Sequence, residues 1–400
     1  MLPWNGPASG GIFAKEGFHD MSSLYFHLPT RLFAGGGALR RAASDISPRL
    51  GNRAMLVSDE LTVANRISEP VVSQLDAGGI ETIVFDEIGT EALSTVADNL
   101  LEMVRSCRAQ LVIAVGDTPA LNVARSVCDL VFGDFTIDDL LDGNIRGDKA
   151  PLAASIPYVE IPATIWNPLM LQANNFLIDA RDRSPRIISS RYPPDSVILD
   201  PISHSWSSEK ERTYRLIDAL LVALEAYFSD RTTFLEEPEL IRALSILVQL
   251  LRGATNQPEA RDSVEPALRG ALLAGLGSSS AGIGLGSAIC YVLHARCTVP
   301  AHLISPIILP GIIARLTEIR PTKVPALARI LGVDENGGGI EEELRSIVGA
   351  NEIPLRLSNF DISSKDIENV GDAVERLGIY QSSPLSLDSE GIVGLLGPSI

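Results

Sequence analysis

The sequence predicts an α/β domain built on a parallel sheet, followed by an all-helical domain. Strand-like and helix-like segments alternate through the first half, and after Asp200-Pro201 the apolar pattern turns to a period of 3.6 residues almost throughout. Length agrees, because 400 residues exceed one ordinary core and suggest two.

Ala54–Asp59 reads as a short apolar strand, and Val71–Ala77 lies in a helix closed by Gly78-Gly79. Glu81–Phe85 is the next strand, Ala92–Cys107 a helix, and Leu111–Val115 a further strand that runs into Gly116 and a helix over Pro119–Cys128. Strand signals return at Tyr158–Ile161 and Ser196–Leu199. Beyond Pro201, Glu209–Phe228, Glu239–Arg252, Ser263–Leu276 and Gly284–Leu293 read as helices. Ala301–Leu316 is apolar but carries Pro306, Pro310 and Gly311, so it reads as a buried helix flanked by turns. Residues 1–22 are expected to be a disordered extension, with Met1 and Met21 both open as the start. Residues 23–201 form the sheet domain and residues 202–400 the helical one.

A formal charge of −17 and the absence of any Lys/Arg cluster argue against a nucleic-acid partner. No uninterrupted apolar run reaches the roughly 18 to 20 residues of a membrane span, so no membrane is expected. Cys107, Cys128, Cys290 and Cys297 show no C-x-x-C spacing, which fits reduced thiols in a cytoplasmic protein.

Several strings share an order and spacing: Phe33-Ala-Gly-Gly-Gly-Ala38, Leu56–Asp59, Gly79–Asp86, Ile113–Gly116, Ile161-Pro162, Asp200-Pro201, Asp218-Ala-Leu220 and Ala223–Tyr227. In this the chain resembles the iron-containing alcohol dehydrogenase family, whose fold dehydroquinate synthase and glycerol dehydrogenase share. The resemblance runs from about Phe26 onward and implies a Rossmann-like domain, an interdomain cleft, and NAD(P) and a metal as cofactors.

The family's glycine-rich loop at the cofactor diphosphate corresponds to Gly116-Asp117-Thr118-Pro119. Close approach of a phosphate needs small residues and free amides, whereas Asp117 adds a negative charge and Pro119 removes a donor. A loop that merely closes a strand-helix turn is the competing reading. The second cofactor loop corresponds to Ala163–Met170, where Thr164 is kept and Trp166, Pro168 and Leu169 fill space. Asp59 matches the acidic residue that meets the adenosine ribose. Carried over, the candidate cofactor contacts are Asp59, Gly116, Thr118, Asn122 and Thr164.

The family's metal ligands are an Asp and a His four residues apart, then two His fourteen apart. Here these positions read Asp218, Val222, Ser287 and Ala301. One carboxylate does not hold Fe²⁺ or Zn²⁺, which need three or four donors, so no metal is expected. His294 and His302 lie nearby, either as a displaced triad with Asp218 or as satisfied polar residues lining a cleft. Tyr291 replaces a further family His. Asp218, Tyr291, His294 and His302 are therefore the candidate catalytic residues, while His19, His27 and His204 read as structural.

Three functions follow. The first is a diverged oxidoreductase, metal-independent, that takes an alcohol or carbonyl group on a small-molecule or peptide substrate, in specialised natural-product or modified-peptide biosynthesis. The second is a lyase, cyclase or isomerase in the same cleft. The third is a pseudoenzyme or partner-binding subunit. Family members assemble, so a homo-oligomer or a heteromer with an active paralogue is expected.

Overall fold

The computed structural model describes residues 28–144, 155–204, 207–256, 264–377 and 383–399. The expected extension over 1–22, with Met21 and His19, and also His27, lie outside the described residues.

The first domain holds β1 (Arg31–Ala34), α1 (Ala38–Leu50), β2 (Arg53–Asp59), α2 (Glu60–Ala64), α3 (Ser68–Ala77), β3 (Glu81–Ile88), α4 (Ser94–Cys107), β4 (Leu111–Gly116), α5 (Thr118–Val127) and α6 (Ile137–Leu141). It continues with β5 (Tyr158–Pro162), β6 (Asn174–Asp179), β7 (Ser184–Ser189) and β8 (Ser196–Leu199). Six strands make one parallel sheet in the order β1-β8-β5-β4-β2-β3. β4 and β5 are buried along their whole length, as continuous apolar runs in a two-sided parallel sheet must be. Alternate residues feed opposite layers: Met55, Val57, Val112 and Ala114 pack with α4 and α5, while Ala54, Leu56, Ile113 and Val115 pack with α1 and α3.

The antiparallel hairpin β6–β7 was not expected from the sequence. Its first strand is buried on both faces over Asn175–Asp179, and Pro185 interrupts its second, so neither shows a clean period of two.

Helices follow: α7 (Glu209–Phe228), α8 (Glu237–Asn256), α9 (Val264–Ser278), α10 (Leu285–Cys297) and α11 (Ala301–Ile319), then shorter ones to Leu396. α7 is buried without a break from Thr213 to Phe228, the mark of a helix packed on all sides. α8, α9, α10 and α11 surround it.

The prolines do not break α11, which runs through Pro306 and Pro310 as one helix. Pro306 leaves the His302 carbonyl without its usual N–H donor. The buried Ser305 hydroxyl lies 3.2 Å from that carbonyl and offers a substitute. By length and composition α11 is apolar enough to cross a membrane, but more than half of its apolar window is buried, as in a core helix.

Removing the Ser305 hydroxyl should therefore weaken the fold. S305A is expected to lose about 1–3 kcal/mol in denaturant unfolding, the usual cost of an orphaned buried acceptor. A change below about 0.3 kcal/mol would show that the proline gap needs no donor.

Candidate functional site

The chain leaves β2 for β3 on one side and places β4 on the other. The carboxyl ends of β2 and β4 thus flank a topological switch point, where open parallel sheets bind ligands. Asp59 ends β2 and Gly116 ends β4.

Both oxygens of Asp59 are engaged. Oδ1 accepts the Thr62 amide at 2.8 Å and caps α2, and Oδ2 accepts the Asp117 amide at 2.6 Å. Burial raises the Asp59 pKa, and the Asp117 charge adds to it. A side chain at Gly116 would collide with the Asp59 carboxylate and meet the Ala120 methyl at 2.7 Å. The glycine admits a carboxylate of the chain itself.

Asp117 caps α5 through Oδ1, which accepts the Thr118 amide at 2.6 Å, and its Oδ2 meets Arg215 of α7 at 2.5 Å. Arg215 also reaches Glu211 at 3.0 Å, and Glu211 meets His302 at 3.1 Å. Burial pushes the Asp117 carboxyl up, but Arg215, His302 and the Thr118 amide together bring it below its ordinary value. Burial also opposes the charge on Glu211, yet His302 and Arg215 hold its pKa at about 2. Thr164 Oγ1 stands 3.5 Å from Asp117 and 3.1 Å from the Trp166 carbonyl.

Asp218, one turn beyond Arg215 on α7, accepts a hydrogen bond from the Trp166 indole at 2.9 Å, with the Ser305 hydroxyl alongside. Its pKa is raised by burial, which outweighs these partners. Ile165, Trp166, Leu169 and Met170 are all buried in the helical core.

Two residues missed by sequence reasoning complete the site. Arg215 carries the ionic link just described. Glu225, two turns beyond Asp218, docks on the first turn of α10: its Oε1 accepts the Gly286 amide at 2.6 Å, and its Oε2 accepts the Ser287 amide at 3.1 Å and hydroxyl at 2.6 Å. Burial raises the Glu225 pKa to about 7 against these bonds. Their spacing was the available signal, since Arg215, Asp218, Val222 and Glu225 recur at helical intervals.

Small openings trace the same seam. On α7, Asp218, Val222 and Glu225 keep 5–8 % exposure while Ile217, Ala219, Leu221 and Ala223 have none. On α10, Ser287, Tyr291 and His294 keep 4–9 %.

The other sequence candidates are placed as follows. Tyr291 stacks on Phe176 of β6 with ring centroids 4.9 Å apart, and burial drives its pKa far above the ordinary tyrosine value. His294 turns Nδ1 to the Val299 carbonyl at 3.0 Å and also faces Phe176. Among the described residues, no three His, Cys, Asp or Glu converge where they could hold a metal, so Asp218, His294 and His302 form no displaced triad. The Asn122 side-chain carbonyl accepts the Phe176 amide at 3.1 Å and ties α5 to the hairpin.

The iron-containing alcohol dehydrogenase model matches residues 29–201, and the C-terminal model of the Fe-containing alcohol dehydrogenase family matches residues 213–399. The chain belongs to the iron-containing alcohol dehydrogenase family. Among similar proteins is lactaldehyde reductase of Escherichia coli K12, 22 % identical over 85 % of this chain and 90 % of that protein. Another is long-chain-alcohol dehydrogenase 1 of Geobacillus thermodenitrificans, 24 % identical over 92 % of this chain and 94 % of the relative. In structure, a 1,3-propanediol oxidoreductase superposes with a TM-score of 0.84 at 18 % identity, covering 93 % of this chain and 98 % of that one.

For a metal, the four ligand positions offer a single carboxylate, already bonded to an indole N–H, beside a valine, a serine and an alanine. That set does not fit a divalent cation. For NAD(P), the residues at the switch point are Asp59 with both oxygens engaged and Asp117 capping the helix that would receive the diphosphate. This conformation does not fit the diphosphate either.

Glu225 makes the site's protonation measurable. With a folded pKa near 7 against 4.5 unfolded, its contribution is fully present below about pH 4.5 and is lost as pH rises through 7. E225Q removes that loss. Relative to the parent, the variant should melt at a lower temperature at pH 5 and recover most of the difference at pH 8; a gap constant with pH would refute the shift.

Proposed function

We propose that the chain is a metal-independent oxidoreductase of its family, acting on an alcohol or carbonyl group of a small or tailored substrate in the cleft between the sheet and α7–α10. Its membership across both domains supports the reaction class. One observation carries the metal independence: Asp218, the single donor left at the ligand positions, is held by the Trp166 indole. Relatives named as a lactaldehyde reductase and a long-chain-alcohol dehydrogenase point to aldehyde or alcohol chemistry. Free Cys107, Cys128, Cys290 and Cys297 suit a reducing, cytoplasmic setting.

Without a Lewis acid, polarising the substrate oxygen falls to the chain's own groups. The Ser287 hydroxyl donates to Glu225 at 2.6 Å, and with the Glu225 pKa raised to about 7 the protonated carboxyl can pass its proton on through that hydroxyl. Tyr291 does not suit a base, because its proton is held far above neutral pH.

The filled diphosphate position favours a second reading, a non-redox enzyme in the same cleft or a binding subunit that pairs with an intact paralogue. NADH and NADPH titration by fluorescence separates the two. Saturable binding below millimolar supports the redox reading, and none at millimolar removes it. Metal analysis of purified protein should find well under one equivalent; one tightly held equivalent would overturn the metal-independent assignment.

A further inference from the structure

We infer that the Asp117 carboxylate takes the place of the dinucleotide diphosphate, held there by Arg215, and that this ion pair governs entry of a dinucleotide. The inference builds on the redox reading and names the residue that sets its cofactor access.

Two amides of the cradle are taken by the chain. The Asp117 amide goes to Asp59 and the Thr118 amide to Asp117 itself. Position 119 is a proline with no amide to give. A phosphate arriving at α5 therefore meets a carboxylate, with like charge in a poorly solvated cleft.

Arg215 gives the carboxylate its counter-charge from the other domain. Its side chain is 4 % exposed, and Glu211 and, through it, His302 hold it in place independently of Asp117. Asp117, 14 % exposed, is held on both oxygens, by the Thr118 amide on Oδ1 and by Arg215 on Oδ2. If its side chain turned outward, the fixed guanidinium would face the vacated position, and its planar fork suits a phosphate. Removing the Asp117 charge therefore leaves the fixed guanidinium free to meet a phosphate.

The test uses the full-length protein and ADP-ribose, which lacks the nicotinamide ring and so does not report on Trp166. D117N keeps an oxygen to cap α5 while removing the charge, and D117G removes the side chain. Calorimetric titration should show each variant binding at least about 10-fold tighter than the parent, equivalent to about 1.4 kcal/mol. Adding R215M to D117N should reverse the gain. Melting curves without ligand identify folded variants, and D117N serves where D117G does not fold. Equal affinity in parent and D117N, or no binding by either at millimolar ADP-ribose, overturns the inference. Tight NADH binding by the parent, unchanged in D117N, would overturn it while leaving the redox reading intact.

Discussion

The ion pair between Asp117 and Arg215 is the constraint on which the cleft depends. It joins the end of β4 to the first turns of α7, and so ties the sheet to the central helix of the other domain. Two acidic groups meet at this point, since Asp59 accepts the Asp117 amide, and the buried guanidinium offsets the charge they bring. Such a pair contributes little net stability against a well-packed apolar replacement, but removing one member leaves a buried charge and costs roughly 3–5 kcal/mol. Its main consequence is geometric. With Arg215 fixed, the helical spacing of α7 sets Asp218, Val222 and Glu225 along the seam.

The sheet was legible because its strands are buried on both faces and therefore read as unbroken apolar runs such as Leu111–Val115. The continuity of α11 was not, because Ser305 supplies a donor that no proline rule anticipates. In the site, the identities of Asp218, Val222, Ser287 and Ala301 were readable residue by residue. Arg215 was not, since its partner Asp117 lies 98 positions away and only folding brings them together. Glu225 stood in the matched string Ala223–Tyr227, but its role requires the first turn of α10 to dock on it.

One element that the sequence did not reveal touches three of the candidate residues. Phe176 of β6 stacks on Tyr291 and faces His294, and its backbone amide is held by Asn122. The hairpin therefore packs against Tyr291 and His294 and is pinned by Asn122. Its strands carry Asn, Asp, Pro and Ser among the apolar residues, so periodicity alone could not reveal it.

The polar groups along α7 are coupled by the cost of leaving any of them unsatisfied. A buried carboxylate deprived of a cation must find other donors or stay protonated. Asp218 does both in part: Trp166 donates to it, and burial still raises its pKa. The indole that does so lies in the Ala163–Met170 segment, whose Ile165, Leu169 and Met170 are buried with it in the helical core. An imidazole introduced at position 222 would leave that bond in place, and Ser287 would still be held by Glu225. Trp166 and Ser287 each donate to a buried carboxylate, so a change at either leaves that carboxylate short of a donor.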